Sequence, residues 1–224
     1  MPYKLLIDLD GTLIDSSEGI YKTYVKACGG MSTNIPSLEE FKKRIGPPIT
    51  EIFQYFNPNI QERDTEQFHR SFRKLYDSEG YKKYRCYEDV IETLNLLARI
   101  DSENLTVVTN KPTAAAKLIV DDLKLSRIFK EVVGIDYLSF HKKGIPFKSK
   151  HKAISYVVET QSGQKSNTYY IGDTLNDLKS ANSAGVKFIA ATYGFYEWPK
   201  STIEKIMHIN HFSEIIDLLN IQEK

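Results

Sequence analysis

Apolar and polar positions along the chain fall into two rhythms. Between residues 16 and 85 the apolar residues recur near helical spacing: Phe41 and Ile45, then Ile49, Ile52, Phe53 and Phe56, then Phe68, Phe72, Leu75 and Tyr76. A first helix there, capped by Ser16 or Ser17, takes in Ile20, Tyr24 and Val25. Gly46-Pro47-Pro48 and Asn57-Pro58 punctuate the stretch, and strand signal is scarce. From about Cys86 short β-rich runs alternate with helical segments instead. The pattern predicts an α/β core made of residues 1–15 and 86–224, with a helical unit of residues 16–85 inserted after the first strand.

Within the core, Asp89–Ala98 reads as a helix with Val90, Leu94 and Leu97 on one face, and Leu105–Thr109 as a strand ending in Thr109-Asn110-Lys111-Pro112. A helix over Ala114–Leu123, a short strand at Glu131–Gly134 and a helix over His151–Glu159 follow. Thr168–Ile171 reads as a strand that breaks into Gly172-Asp173-Thr174-Leu175-Asn176-Asp177, followed by a helix to Ala184. A strand at Val186–Ala190 and a last helix over Phe212–Leu219 complete the order, with Trp198 and Pro199 read as a surface loop. Strands alternating with helices of this length imply a mostly parallel sheet with helices on both faces. In such sheets ligands bind outside the carboxyl ends of the strands, where Asp8, Thr109 and Asp173 fall.

Composition narrows the class without naming a function. A chain of 224 residues with 41% hydrophobic and 26% charged residues is long enough for one substantial core and a second small one. A net charge of +1 provides no field for gathering nucleic acid or a membrane, so neither is expected as a partner and an anionic substrate must be held locally. Cys28 and Cys86 make neither a metal spacing nor a disulfide framework, which fits a reducing compartment. With no basic segment leading into an apolar one, the expected location is cytoplasmic. Oligomeric state is not legible.

The chemistry is concentrated at the first strand. Lys4–Ile7 runs into Asp8-Leu9-Asp10-Gly11-Thr12, and if the backbone is still extended at Asp8 and Asp10 their carboxylates go to the same side. Two like charges leaving a buried sheet together are costly unless a cation or a proton compensates them. Asp173 and Asp177, four apart where a helix begins, add two more carboxylates. An oxygen-rich cluster of this kind suits a hard divalent ion such as Mg²⁺. Thr109 and Asn110 precede a helix, where a hydroxyl and backbone N–H groups can hold an anion, and Lys148-Ser149-Lys150 offers a balancing cation. Carboxylates, a cation, an anion cradle and a lysine together point to phosphoryl transfer.

These stretches resemble the motifs of the haloacid dehalogenase-like hydrolase superfamily, in its phosphoglycolate phosphatase-like branch. The D-x-D-G-T motif is Asp8–Thr12, the strand-end hydroxyl is Thr109, and G-D-x-x-x-D is Gly172–Asp177. Ile45–Pro48, Thr109–Pro112 and Thr192–Phe195 are similar to that branch as well. The resemblance implies a Rossmann-like core with the insert as a mobile cap, and a Mg²⁺-dependent phosphatase of a small phosphorylated metabolite: phosphoglycolate, a nucleoside monophosphate or a sugar phosphate. It implies Asp8 as nucleophile and Asp10 as acid and base. The metal ligands it implies are the Asp8 carboxylate, the Asp10 backbone carbonyl and Asp173, with Asp177 in support. Thr109 and Asn110 would hold the phosphoryl group, Gly11 would allow the tight turn beside it, and Thr12 would help orient the site. The Lys-Pro pair of the remaining motif is absent. Lys150 is favoured as its lysine because it follows a cap residue, Ser149, and opens a helix; Lys148 fits the spacing of the Lys-Pro form.

Other residues carry weaker signals. Asp15 reads as a cap or hinge residue, Arg44 beside Gly46 as a candidate substrate contact, and His208 with His211 as structural. A phosphomutase shares the same motifs, and a non-catalytic phosphate-binding regulator shares the same fold; these are the alternatives. The second carboxylate, Asp10, sets the chain apart from the dehalogenases, which need no acid for a leaving alcohol.

Overall fold

A computed structural model describes residues 3–161 and 164–221. Eight strands follow in order: β1 (Lys4–Ile7), β2 (Ile14–Asp15), β3 (Arg85–Cys86), β4 (Leu105–Val108), β5 (Glu131–Val133), β6 (Thr168–Gly172), β7 (Lys187–Ala191) and β8 (Met207–Ile209). The helices are α1 (Ser17–Ala27), α2 (Leu38–Lys42), α3 (Ile49–Phe56), α4 (Glu62–Ser78), α5 (Val90–Asp101), α6 (Thr113–Asp122), α7 (Tyr137–Phe140), α8 (Lys150–Thr160), α9 (Leu175–Ala184), α10 (Lys200–Ile203) and α11 (Ile215–Leu218). The chain separates into two units, one made of residues up to Ile14 and from Cys86 onward, the other of Asp15–Arg85.

The first unit is built on a six-stranded sheet in the order β5-β4-β1-β6-β7-β8, and every neighbouring pair is parallel. β1, β4 and β6 are buried along their whole length, as strands covered on both faces must be. Leu6, Val108, Tyr170 and Ala190 pack with Ile154 and Val157 of α8 and Ala181 of α9 in one core cluster. Counted within this sheet, the strand order reverses at the β1–β6 pair, where Ile7 lies opposite Ile171. A crevice opens at such a reversal because the connections leave to opposite sides. Asp8 is the first residue past β1 and Asp173 the first past β6, so both stand at this point.

The second unit is helical. α1, α2, α3 and α4 converge on Tyr24, Phe41, Phe53 and Phe68, with Phe53 and Phe68 stacked at 4.0 Å and Tyr24 tilted against Phe41 at 4.9 Å. Ser37 and Glu40 form a capping box at the start of α2. Ser16 occupies the cap position of α1 but makes no side-chain capping bond to the helix; the capping oxygen is Asp15 Oδ1, which accepts from the Ser17 N–H at 3.0 Å.

The structure differs from the sequence expectation in its short elements. β8 was not expected: it adds a sixth strand through pairing with β7, and only Ile209 of its three residues is fully buried. The segment read as a last helix begins as a 3₁₀ turn over Phe212–Glu214 before α11. Trp198 and Pro199 do lie in a loop, between β7 and α10, but the Trp198 ring is half-buried, 6.0 Å from Phe188. No helix among the described residues is long and apolar enough to cross a membrane.

Candidate active site

The sheet brings its chemistry together by register. The Asp8 N–H donates to Ile171 O at 2.9 Å and the Thr109 N–H to Val133 O at 3.0 Å, so both residues continue the strand ladders before the chain turns away. Asp8 Oδ1 accepts from the Leu9 N–H at 2.8 Å. Asp8 Oδ2 accepts from Lys150 Nζ at 2.7 Å, and the same ammonium reaches Asp177 Oδ1. Lys150 is the first residue of α8 and only 4% exposed, whereas Lys148 is exposed. Ser149 holds the cap position of α8, but its hydroxyl pairs with His151 Nδ1 rather than the helix.

Asp177 is fully buried as the third residue of α9. Its Oδ2 accepts from the Thr174 N–H and hydroxyl at 3.0 and 2.6 Å, while Thr174 Oγ1 accepts from the Asp177 N–H, a complete capping box. Both Asp177 oxygens therefore already have donors. Asp173 is different. Its Oδ2 accepts from the Phe195 N–H at 2.7 Å, and its buried Oδ1 has no hydrogen-bond partner. Gly11, with φ +82°, and Gly194 press against this carboxylate: a Cβ on Gly11 would lie 2.1 Å from Oδ2, and one on Gly194 would lie 2.2 Å from the Asp173 Cβ.

Asp10 stands two residues beyond Asp8 with a lysine of its own: Lys111 Nζ lies 2.9 Å from Oδ1 and 2.8 Å from Oδ2. Thr109 is buried, and its hydroxyl accepts from the Lys111 N–H at 3.2 Å; Asn110 beside it is half-buried. Thr12 is buried with Oγ1 unpartnered, and its carbonyl accepts from the Tyr193 hydroxyl at 2.9 Å. Lys111, Gly194 and Phe195 are the contributors to which the motif reading attached no role. Lys111 was visible as a cation two places past the strand-end Thr109, but nothing local indicates that it is buried.

Asp8 is raised to about 7, first by burial and also by the charges of Asp177 and Asp10, against the lowering pull of Lys150. Asp173 is raised well above the carboxylate range, first by burial and then by Asp177 and Asp8. Burial alone would lower Lys150, but Asp177 and Asp8 outweigh it and hold its ammonium well above the ordinary value.

These groups fit a hard divalent cation. Oxygens of Asp8, Asp173 and Asp177 lie within 4.8 Å of one another, all three residues buried. Asp173 Oδ1 is a bare carboxylate oxygen in the interior, an arrangement strongly unfavourable without a cation or proton. With all four ionised, Asp8, Asp10, Asp173 and Asp177 would exceed Lys111 and Lys150 by two negative charges, which one divalent ion balances. The donor set is oxygen only, as Mg²⁺ and similar ions require. The metal-competent group found among the described residues contains no histidine: His208 is exposed on β8, and Arg44 lies in the helical unit with its guanidinium 3.9 Å above the Tyr55 ring.

A Rossmann-ordered parallel sheet with a helical insert after its first strand, and paired carboxylates at the strand-order reversal, defines a class of α/β hydrolases. The sequence pattern of the haloacid dehalogenase-like hydrolases matches residues 5–191, and the chain belongs to that family. It is a hydrolase of the family's phosphatase kind. It is 26% identical to phosphoglycolate phosphatase 1 of Pseudomonas aeruginosa over 87% of this chain and 71% of that protein. It is also 28% identical to a 5'-nucleotidase of the same organism, over 85% of this chain and 83% of the relative. A haloacid dehalogenase-like family hydrolase from Streptococcus pneumoniae shares the fold with a TM-score of 0.83 at 22% identity, covering 97% of this chain and 99% of the other.

Proposed function

We propose that the chain is a Mg²⁺-dependent phosphatase of small phosphorylated metabolites that works through an aspartyl-phosphate on Asp8. The observation that carries this reading is the pair of separately neutralised carboxylates past β1, Asp8 on Lys150 and Asp10 on Lys111. Two equivalent carboxylates would share one role; two with different partners can divide the work of nucleophile and acid.

In this reading Asp8 attacks phosphorus in line, and the bond from phosphorus to the ester oxygen breaks as the Asp8–phosphorus bond forms. Asp10, met here by Lys111 as a carboxylate, takes up a proton from solvent before the ester bond breaks and gives it to the departing oxygen. It then takes a proton from the water that attacks the aspartyl-phosphate, releasing inorganic phosphate and restoring Asp8. Lys150 keeps Asp8 ionised and oriented. Thr109 and Asn110, at the end of β4, hold the phosphoryl oxygens, and Gly11 lets the chain turn beside Asp173. Asp8, the Asp10 backbone carbonyl and Asp173 would hold Mg²⁺, with Asp177 in support through its bond to Lys150. When bound, the ion offsets the charge between Asp8 and the incoming phosphate.

Residues 16–85 are assigned as the cap domain that selects among esters, with Arg44 as a candidate substrate contact. The names of the two Pseudomonas relatives set the first esters to try, phosphoglycolate and nucleoside monophosphates. The test is phosphate release from a panel of these and of sugar phosphates, with Mg²⁺ and with EDTA. The reading expects release from one or more esters that EDTA abolishes. Release that EDTA leaves undiminished, or interconversion of sugar phosphates without net phosphate, contradicts it.

A further inference from the structure

Tyr170 is fully buried in the middle of β6, yet its hydroxyl does not end in the apolar core. By register it lies opposite Leu6 of β1, whose partner on β4 is Thr106, so Tyr170, Leu6 and Val108 share one face of the sheet. β1 stands between β4 and β6. The Tyr170 side chain crosses it, and the hydroxyl donates to Val108 O at 2.9 Å. A phenylalanine would fill the same core, so the hydroxyl needs a reason of its own.

That reason lies in how β1 ends. The Thr109 N–H donates to Val133 O on β5, so the carbonyl of the same trans peptide, Val108 O, points the other way, toward β1. In a parallel ladder that pairs Ile7 with Val107, the donor that would meet this carbonyl is the Leu9 N–H. That N–H donates to Asp8 Oδ1 instead. An interior carbonyl left without a donor is unfavourable, and the Tyr170 hydroxyl fills the place. One phenol thus lets the Leu9 N–H serve the Asp8 carboxylate while the Val108–Thr109 peptide stays bonded on both sides. Burial first, and then the charge of Asp8, raise the phenol well above its ordinary value, so it keeps the proton it donates. Lys150 Nζ, which meets Asp8 Oδ2, lies 5.7 Å from the centre of the same ring.

We propose that Tyr170 is a positioning residue for phosphoryl transfer: its hydroxyl fixes the Val108–Thr109 peptide and so holds the Thr109 hydroxyl in register with Asp8. The inference rests on the phosphoryl-binding role of Thr109 given above. Without the phenol hydroxyl, the peptide shifts toward β1 in search of a donor and the Thr109 hydroxyl leaves its place.

The test uses the Mg²⁺-loaded full chain as wild type, Tyr170→Phe, Thr109→Val and the double variant, with p-nitrophenyl phosphate as substrate. Tyr170→Phe should lower kcat/KM by about ten- to thirtyfold, below the roughly hundredfold that a misplacement of about 1 Å can cost. Inhibition by orthovanadate, a mimic of the transferring phosphoryl group, should weaken by a similar factor. In the Thr109→Val background, the tyrosine substitution should lower kcat/KM by less than about twofold, because the hydroxyl it positions is already gone. A tyrosine that only fills the core would produce the same loss in both backgrounds. That result, or wild-type kcat/KM in Tyr170→Phe, overturns the proposal and leaves the Thr109 assignment intact. Thr109→Val at the wild-type rate overturns the assignment and the proposal together. Should Tyr170→Phe fail to fold, para-methylphenylalanine at position 170 fills the space of the hydroxyl without a donor and reads the same cycle.

Discussion

Gly194 lies against Asp173 so closely that a Cβ on it would sit 2.6 Å from Asp173 Oδ2. The same oxygen accepts from the Phe195 N–H, so the segment after β7 sets the position of the carboxylate at the end of β6. Gly194→Ala must therefore push Asp173 aside, an overpacking that costs about 1–3 kcal/mol. The expected outcome is a rise of at least about tenfold in the Mg²⁺ concentration that half-saturates activity, with the circular dichroism spectrum unchanged; tenfold corresponds to about 1.4 kcal/mol. An alanine variant with the metal dependence of wild type would show that Asp173 does not serve the metal.

Lys150 and Lys148 are two residues apart, but one is buried between Asp8 and Asp177 and the other is exposed. Lys150→Met leaves two interior carboxylates without their cation, a loss of about 3–5 kcal/mol in comparable buried pairs. Turnover should fall by at least about a hundredfold and the melting temperature should drop. Lys148→Met should leave both within error of wild type. Loss of turnover in the Lys148 variant alone would reassign the motif lysine.

The buried carboxylates also set how the metal-free chain responds to pH. Asp8 is raised to about 7 and Asp173 above the carboxylate range, first by burial, so the folded state holds protons that the unfolded state has released. Groups raised in this way contribute stability that is present below about pH 4, the ordinary carboxylate value, and is lost as pH rises through their folded values. A divalent ion meets the same charge and should restore what is lost. In thermal melts the gap between Mg²⁺-loaded and EDTA-treated protein should widen between about pH 5 and pH 8, by several degrees at this chain length. A gap independent of pH would mean that the ion does not bind at these carboxylates.

The long strands and the insert were legible because each shows its burial locally. β1, β4 and β6 are apolar runs enclosed on both faces, and the aromatics of α3 and α4 recur at helical spacing. β8 was not legible: it is three residues long, only one of them buried, and its identity as a strand comes from pairing with β7. The meeting of Asp8 with Asp173 follows from strand order and could be inferred from where the two fall. The burial of Lys111 could not, because its partner Asp10 lies 101 positions away and only the folded sheet makes its ammonium an interior group. Gly194 was obscure for a similar reason. A glycine needed for close approach shows its purpose only when the neighbour it admits is known.

Asp8 is the group proposed above to be phosphorylated during turnover. Hydrolysis of p-nitrophenyl phosphate with saturating Mg²⁺ by wild type and by Asp8→Asn tests it most directly, since the amide keeps the shape of the side chain and removes its nucleophile. A loss of at least about a thousandfold is expected, in line with removal of a covalent nucleophile elsewhere. An Asp8→Asn variant that hydrolyses the ester at the wild-type rate would contradict the account.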